Sequence, residues 1–187
     1  EREVDLIEEV ARLYGVDNIP ASEHVQITGV GRDRDTWYPI QQLHEELIGL
    51  GLDECLNLSL VSAREATHHT GFAEEDLVTL LNPLTSDAAA LRPSLLPGML
   101  RTVHNNAAHD IHDLRLYEIG RVFSAKSEDQ EEHLEACLVM TGRRHPERFS
   151  AEREQTIDYY DLKGVVEDWL DTRRAGQTVF TACAHPA

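Results

Sequence analysis

Residues 114–123, LRLYEIGRVF, decide how the chain folds, because they alternate as the residues of a β-strand do. Leu114, Leu116 and Glu118 fall on one face of such a strand, and the residues between them fall on the other. Gly120 interrupts the alternation before a second apolar stretch. The sequence therefore predicts two strand pieces that meet at a bend or a β-bulge.

Further strands are predicted on both sides of this stretch. Apolar runs of strand length occupy residues 55–61, 77–81, 134–141 and 178–184. The run at 134–141 is too continuously apolar for an edge strand with one solvated face. Loops and hairpins join most of these runs, which favours antiparallel pairing.

Helices are predicted where apolar residues recur at helical spacing. The predicted helices span residues 3–14, 35–49, 99–108 and 159–170. Gly15 ends the first helix, Asp35 is the expected N-cap of the second, and residues 62–65 form the capping box of a further short helix. Long helices on the faces of a largely antiparallel sheet predict an α+β fold class.

The composition is that of an ordinary globular domain. The 187 residues are 41% hydrophobic, which suffices for one well-buried core. The sequence has neither an apolar run long enough to span a membrane nor a signal peptide, and because it lacks an initiating Met we expect a fragment of a longer chain. Cys55, Cys137 and Cys183 stand singly in apolar runs, as the buried thiols of a cytoplasmic protein do.

The chain is strongly acidic, with a net charge of -17 at pH 7. This charge disfavours strong binding of nucleic acid, since phosphate contacts require clustered Lys and Arg. Lys126 and Lys163 are its only lysines, although arginine is frequent. Such a composition is typical of proteins adapted to high salt, where the charge keeps the surface hydrated. A merely acidic surface is the alternative.

Histidines and serines form no recognisable metal or catalytic pattern. The spacings of His104, His109 and His112 match no common zinc site, so we interpret these residues as surface or capping histidines. Ser59 and Ser94 lack the GxSxG turn that exposes a nucleophilic serine.

Asp5, Glu8 and Glu9 form the strongest candidate site. Their spacing places them on one face of the helix predicted at residues 3–14. Carboxylate oxygens on one face can bind magnesium or calcium when water or a partner supplies further ligands. The residues alone leave two interpretations open, a solvated acidic face and a cation site.

The chain contains five blocks whose order is informative. They are residues 4–20 (VDLIEEVARLYGVDNIP), 82–86 (NPLTS), 91–100 (LRPSLLPGML), 114–123 (LRLYEIGRVF) and 159–167 (YYDLKGVVE). In this order they resemble the beta-subunit family of bacterial phenylalanyl-tRNA synthetases. Residues 185–186 (HP) are similar to the start of a further block of that family, so the resemblance covers nearly the whole chain.

The resemblance implies a domain organisation and a partner. Residues 1–20 would be the C-terminal tail of a B5 domain, residues 21–34 a linker, and residues 35–187 a non-catalytic core module with the class II aminoacyl-tRNA synthetase-like fold. The module would pack on an alpha subunit in an α2β2 heterotetramer of a phenylalanine-tRNA ligase. In that family the alpha subunit binds ATP, forms phenylalanyl-adenylate and transfers the amino acid to tRNA(Phe).

The sequence agrees with a module that performs no chemistry by itself. Class II active sites hold ATP phosphates with arginines, usually including one in a GxGxxR block, and no such block occurs here. Arg115 and Glu118 resemble a worn form of the arginine and glutamate of the second class II motif, and we interpret them as remnants that build the sheet. We expect the chain alone to be inactive. An autonomous class II synthetase paralogue and an RNA-binding module are the alternatives.

The resemblance also implies a magnesium ion shared with the alpha subunit. Asp5, Glu8 and Glu9 match the family's Asp-x-x-Glu-Glu trio, and the family's fourth ligand would fall just before Glu1. A site that lacks one ligand and its partner subunit binds a cation weakly, so we expect no ordered cation on this face of the isolated chain.

Subunit packing further predicts uncovered apolar surface on two of the long helices, since interfaces bury such surface. The residues concerned are Trp37, Leu43, Leu47, Trp169 and Leu170. In the assembled enzyme other subunits would cover them.

Overall fold

The computed structural model describes residues 2–21, 34–68, 70–125, 130–145, 155–173 and 178–182. The chain divides into two compact units, Glu1–Trp37 and Tyr38–Ala187. Most of the predicted linker at residues 21–34 and the closing His-Pro pair lie outside the described residues. The predicted domain boundaries therefore stay predictions.

The first unit contains helix α1 (Glu3–Tyr14), which confirms the predicted first helix. Gly15 ends it with a φ of 93°, a left-handed value that glycine adopts without strain. Nδ2 of Asn18 donates to the carbonyl of Tyr14 at 2.6 Å and so satisfies one of the free carbonyls at the helix end. All of α1 is described, and none of its residues is buried.

Further helices lie in the described part of the chain. They are α2 (Arg34–Gly49), α3 (Ala63–Thr67), α4 (Leu96–Ala107) and α5 (Tyr159–Thr172). Asp35 is not an N-cap, because α2 already begins at the residue before it. The predicted cap of α3 is confirmed, since the Ser62 hydroxyl accepts from the Glu65 N–H at 3.1 Å. α4 begins earlier than predicted because Pro97 fits the first turn, where its missing N–H has no partner to lose.

The described residues contain no helix of the length and apolar character that a membrane span requires.

The strands form a small mixed sheet and a separate pair. The described strands are β1 (Asp53–Glu54), β2 (Leu60–Val61), β3 (Ala90–Leu91), β4 (Leu114–Ser124) and β5 (Glu131–Thr141). In the sheet of order β1-β4-β5, β1 runs parallel and β5 antiparallel to the central strand. β2 and β3 pair antiparallel. The fold is thus mixed helix and sheet, and a largely antiparallel sheet is not confirmed.

The prediction of two strand pieces within residues 114–123 is wrong. β4 is one uninterrupted strand, and Gly120 pairs with Glu135 in its ladder with β5. The glycine is explained by a neighbouring side chain, because a Cβ at this position would overlap Nη2 of Arg92. The missing Cβ therefore makes room for a buried guanidinium.

Other strand predictions also need correction. Of residues 55–61, only the last two join a strand, β2, because the leucines before them project into solvent. Residues 77–81 contribute one isolated bridge, Thr79 to Ala90, in place of a strand. Residues 178–182 form no strand, and 183–184 lie outside the described residues. β5 was expected in the sheet interior, but it lies at the edge of the described sheet.

The core of the second unit surrounds β4. On one side, Tyr117 packs with Leu47 of α2, and Trp169 of α5 covers this cluster. On the other, Met99 of α4 packs with Leu116. The central strand is therefore held by helices on both faces, as alternating side chains of a strand require.

The apolar surface expected on α2 and α5 is only partly present. Leu47 is fully buried, which contradicts the expectation at this position. Trp37 is 55% exposed, as expected. Leu43, Trp169 and Leu170 are partly buried.

Candidate functional site

Asp5, Glu8 and Glu9 lie on the exposed helix α1. Oδ2 of Asp5 accepts from the backbone N–H of Arg2 at 2.9 Å, and the two side chains form an ion pair at 3.6 Å. Glu9 pairs with Arg12 at 2.5 Å. Two of the three carboxylates are thus already neutralised by arginines of the same helix or its cap.

The trio does not fit a cation in the chain by itself. Among the described residues, which include all three, no group of three or more His, Cys, Asp or Glu is arranged to hold a metal ion. Asp5 and Glu9 would have to exchange their arginine partners for the ion, and further ligands would be needed. The metal-binding role of these residues stays a prediction.

A second polar cluster lies inside the sheet unit, at Glu118 of β4. Glu118 is completely buried, and a buried carboxylate requires compensating donors. Arg92 donates from Nη1 to Oε1 at 2.6 Å. Asn57 donates from Nδ2 to Oε2 at 2.7 Å and from its backbone N–H to Oε1 at 3.2 Å. Protein donors therefore occupy both carboxylate oxygens, and we call this group the Glu118 network.

Arg92 and Asn57 make further hydrogen bonds within the Glu118 network. Arg92 donates from Nη1 to the carbonyl of Asn57 and from Nε to the carbonyl of Arg121, each at 3.1 Å. The hydroxyl of Thr102, on α4, donates to Oδ1 of Asn57 at 2.9 Å. The network thus ties β4 to α4 and to the segments that follow β1 and β3.

Little space remains beside this ion pair. The cavity next to Arg92, which Ser94 and Gly98 also line, has a volume of about 10 Å³. Pockets for small molecules and cofactors measure roughly 300–1,000 Å³. A cavity of this size holds about one water molecule at most.

Arg115 does not join Glu118, although the two resemble a worn class II pair. Three positions apart on one strand, they point to opposite faces of the sheet, and Nη2 of Arg115 donates to the carbonyl of Arg144 at 2.7 Å. The burial of Glu118 agrees with a residue that builds the sheet. The sequence does not predict its partners. An arginine inside the largely apolar block 91–100 was the available signal, because a buried arginine requires a carboxylate.

Tyr117 lies on the face of β4 opposite to Glu118, where it is buried against α2. Its hydroxyl lies 3.0 Å from Nδ1 of His44, and Oε1 of Glu54 lies 3.5 Å from the same nitrogen. Burial, with a smaller contribution from Glu54, raises the pKa of Tyr117. The phenol therefore stays protonated at neutral pH and links α2 to the sheet.

An arginine connects the segment after β5 to the start of α5. Nε of Arg144 lies 2.7 Å from Oδ1 of Asp161, and Nη2 lies 3.4 Å from Asp158. Asp158 caps α5 by accepting from the N–H of Tyr160 at 2.8 Å. Nη2 of Arg144 donates to Oδ2 of Asp161 at 2.9 Å. This hydrogen bond lowers the pKa of Asp161, and the backbone N–H of Asp158 lowers it further.

Burial keeps the two described thiols protonated. Burial raises the pKa of Cys137 to about 11, and burial also raises the pKa of Cys55. Both thiols stay protonated at neutral pH, so neither is an activated nucleophile. Cys183 lies outside the described residues. The three histidines predicted at the surface are indeed exposed, namely His104, His109 and His112.

Comparison with known proteins assigns the chain to a family. A family model described as "Phenylalanyl tRNA synthetase beta chain CLM domain" matches residues 19–187. The chain belongs to the phenylalanyl-tRNA synthetase beta chain family. The predicted family is thereby confirmed. Residues 1–18, with α1 and its acidic trio, precede the match.

Curated relatives carry the same family name. The phenylalanine-tRNA ligase beta subunit of Syntrophotalea carbinolica is 36% identical over 178 residues, which cover 92% of this chain and 22% of that protein. The beta subunit of Staphylococcus aureus strain Mu50 is 38% identical over 169 residues, covering 87% of this chain and 20% of that protein. The chain thus spans about a fifth of the length of the curated relatives it matches.

Two solved structures show a weaker likeness. A pyrrolysyl tRNA synthetase from Desulfitobacterium hafniense has a TM-score of 0.49 and 16% identity, covering 75% of this chain and 49% of that one. An ATP phosphoribosyltransferase regulatory subunit/histidyl-tRNA synthetase from Bacillus halodurans has a TM-score of 0.44 and 20% identity, covering 62% of this chain and 32% of that one. At these TM-scores neither likeness establishes a shared fold.

Proposed function

We propose that this chain is a non-catalytic module of a phenylalanine-tRNA ligase beta subunit. In this proposal it supports ATP-dependent phenylalanylation of tRNA(Phe) by packing against an alpha subunit, which binds ATP and carries out the chemistry. The assembly is an α2β2 heterotetramer of the cytoplasm, and the second unit has the class II synthetase-like fold. Beta subunits that are 36–38% identical to the chain support the proposal.

The Glu118 network is the observation that carries the non-catalytic assignment. A class II active site needs arginines that are free to hold phosphates and to stabilise the charge that develops during adenylate formation. Here Arg92 is committed to Glu118 and to backbone carbonyls. The cavity beside it, about 10 Å³, is far too small for a nucleotide. These residues therefore bind protein groups instead of substrate.

Uncovered apolar side chains support a packing role. In the first unit, Leu6, Ile7 and Val10 line an open groove of about 400 Å³ along α1. In the second unit, Leu81 and Leu84 are 99% and 98% exposed. Burying apolar surface of this kind against a partner stabilises the complex by about 25 cal/mol per Å² of buried area.

We propose magnesium binding only for the assembled enzyme and not for this chain alone. Asp5, Glu8 and Glu9 offer hard oxygen ligands, but in this chain they are not arranged to hold an ion. We therefore expect the isolated chain to bind Mn²⁺, used as a paramagnetic substitute, only weakly. Electron paramagnetic resonance titration should give the same weak binding for the chain and its Glu8→Gln variant. Tight binding that Glu8→Gln abolishes would contradict this expectation.

Phenylalanine-dependent ATP–pyrophosphate exchange tests the proposed function. The full-length beta subunit that carries this chain is assayed alone and together with the alpha subunit of the same organism. We expect exchange only when both are present, and we expect the two to co-purify. Exchange by the beta subunit alone would indicate an autonomous synthetase paralogue. A complex of the chain with tRNA in a gel shift at low salt, without any affinity for the alpha subunit, would indicate an RNA-binding module.

A further inference from the structure

A groove of about 510 Å³ lies between the short helix α3 and helix α4. Pro97 and Leu100 contribute apolar surface to it, and Leu100 is exposed. Arg64 on α3 and Arg101 on α4 contribute guanidinium groups. The groove therefore combines apolar surface with basic side chains.

Helical periodicity explains why these side chains meet. On α4, positions 97, 100, 101 and 104 recur at helical spacing and share one face, which places His104 beside Leu100 and Arg101. Arg64 lies on α3, and His68 is the residue that directly follows this helix. All of these residues line the same groove.

An ion pair joins the two walls of the groove. Nη1 of Arg101 on α4 lies 2.5 Å from Oε1 of Glu65 on α3. Among the described residues that line the groove, Glu65 is the one carboxylate. Because Arg101 neutralises it, Glu65 does not cancel the charge of Arg64, whose guanidinium has no ion-pair partner among the described residues.

The groove is a local exception to the charge of the chain. The chain as a whole carries -17, yet among the described residues that line the groove Arg101 and Glu65 pair with each other, which leaves the charge of Arg64 in excess. A long polyanion such as RNA reaches beyond the groove and meets the acidic remainder of the chain. A short acidic segment remains within about one Debye length of the basic side chains, roughly 10 Å at 0.1 M salt, and avoids that repulsion.

We propose that the groove between α3 and α4 binds a short acidic peptide segment of a partner protein, with an apolar side chain seated on Pro97 and Leu100. The carboxylates of the segment pair with Arg64, and His104 at the rim donates a hydrogen bond to them. This inference goes beyond the proposed function and does not depend on it, because the peptide-binding test below uses no alpha subunit.

Fluorescence anisotropy with a fluorescein-labelled DLEEL peptide tests the proposal. The neutral peptide NLQQL and the peptide DSEES, which lacks large apolar side chains, are the matched probes. We expect the chain to bind DLEEL more tightly than either. Arg64→Gln should weaken DLEEL binding about three- to fivefold, as loss of a rim charge pair does. Leu100→Ser should weaken binding of DLEEL but leave that of DSEES unchanged.

Arg121→Gln is the control variant, because Arg121 is an exposed arginine of β4 that pairs with Glu132 and does not line the groove. It should bind DLEEL as the parent chain does, and urea unfolding should show that each variant is folded. Equal binding of DLEEL and NLQQL, or equal losses in Arg64→Gln and Arg121→Gln, would overturn the proposal. So would a failure to bind DLEEL together with binding of a labelled oligo(U) that Arg64→Gln weakens, which would assign the groove to RNA.

Discussion

Replacing Arg92 by alanine leaves the carboxylate of Glu118 buried without its cation. Glu118 is completely buried, and its contact with Arg92 measures 2.6 Å. Removing one partner of a buried ion pair costs about 3–5 kcal/mol, because the remaining charge is uncompensated. We expect Arg92→Ala to lower the free energy of unfolding by this amount, measured by urea denaturation at pH 7.

Arg121→Ala provides the matched control for that measurement. Arg121 pairs with Glu132 at the surface, where both side chains are largely exposed. Exposed pairs contribute about 1 kcal/mol or less, since water and salt screen them. If Arg92→Ala cost no more than Arg121→Ala, the Glu118 network would not be the structural element that we describe.

Gly120→Ala tests the close approach between β4 and Arg92. A Cβ at this position would overlap Nη2 of Arg92, so the guanidinium must move away from Glu118. Overpacking of this kind lowers the free energy of unfolding by about 1–3 kcal/mol.

Gly49→Ala is the control, because a Cβ at this helical position would meet no atom within 4 Å outside the nearby backbone of its own helix. Urea denaturation should show a loss of stability for Gly120→Ala and a small gain for Gly49→Ala. A neutral Gly120→Ala would mean that Arg92 can relax without losing Glu118.

At the level of elements, the start of α5 depends on the charge of Asp161. Arg144 lowers the pKa of this carboxyl in the folded state. A group with a lowered pKa stabilises the fold above its unfolded pKa, near 3.9, and this contribution is lost as the pH falls through the folded value. Asp161→Asn should therefore lower Tm at pH 7, and the difference from the parent chain should shrink as the pH falls from about 5 to about 3.

Asp168→Asn is the control for this pH dependence, because Asp168 lies on the exposed side of the same helix. Its Tm should follow the parent chain at every pH, measured by circular dichroism. A Tm difference for Asp161→Asn that stays constant down to pH 3 would show that the carboxylate does not act through its charge.

Which elements the sequence predicts depends on how far their apolar pattern extends. α1 and α5 are amphipathic over several turns, and their periodicity predicts both. The apolar runs at 55–61 and 77–81 are of strand length, yet most of their residues make no ladder. Leu56 is 90% exposed, so this leucine does not contribute to the core of the second unit. Periodicity alone does not separate these two cases.

The acidic trio and the Glu118 network also differ in how well the sequence predicts them. The acidic trio lies within one helix, so its spacing predicts its shared face. The Glu118 network joins residues 57, 92 and 118, which are distant in sequence and meet only through sheet pairing. Local patterns do not contain such contacts. The family, by contrast, is predicted from short blocks in a fixed order, and relatives that are 36–38% identical confirm it.

At the scale of the whole molecule, charge is the property that sets the response to salt. The chain carries 34 acidic residues against 17 basic ones. Unpaired carboxylates repel one another in the compact state more than in the unfolded chain, which destabilises the fold at low ionic strength. Surface ion pairs such as Arg143 with Asp113 have the opposite dependence, since salt weakens them. Because the excess of acidic residues is large, we expect the repulsion to outweigh the pairs.

Thermal unfolding at different concentrations of potassium chloride measures whether repulsion among carboxylates outweighs the surface ion pairs. Raising KCl from 0.1 to 1 M shortens the screening length from about 10 to about 3 Å. We expect the free energy of unfolding to increase by about 1 kcal/mol, which raises Tm by about 2–4 °C for a chain of this size.

The triple variant Glu74→Gln, Glu75→Gln and Asp87→Asn is the control. It removes exposed carboxylates and should show a smaller salt effect. A Tm that does not change with salt in the parent chain would argue against salt adaptation. An equal rise in both proteins would assign the effect to general salting-out of apolar surface, because screening acts in proportion to the charge that is present.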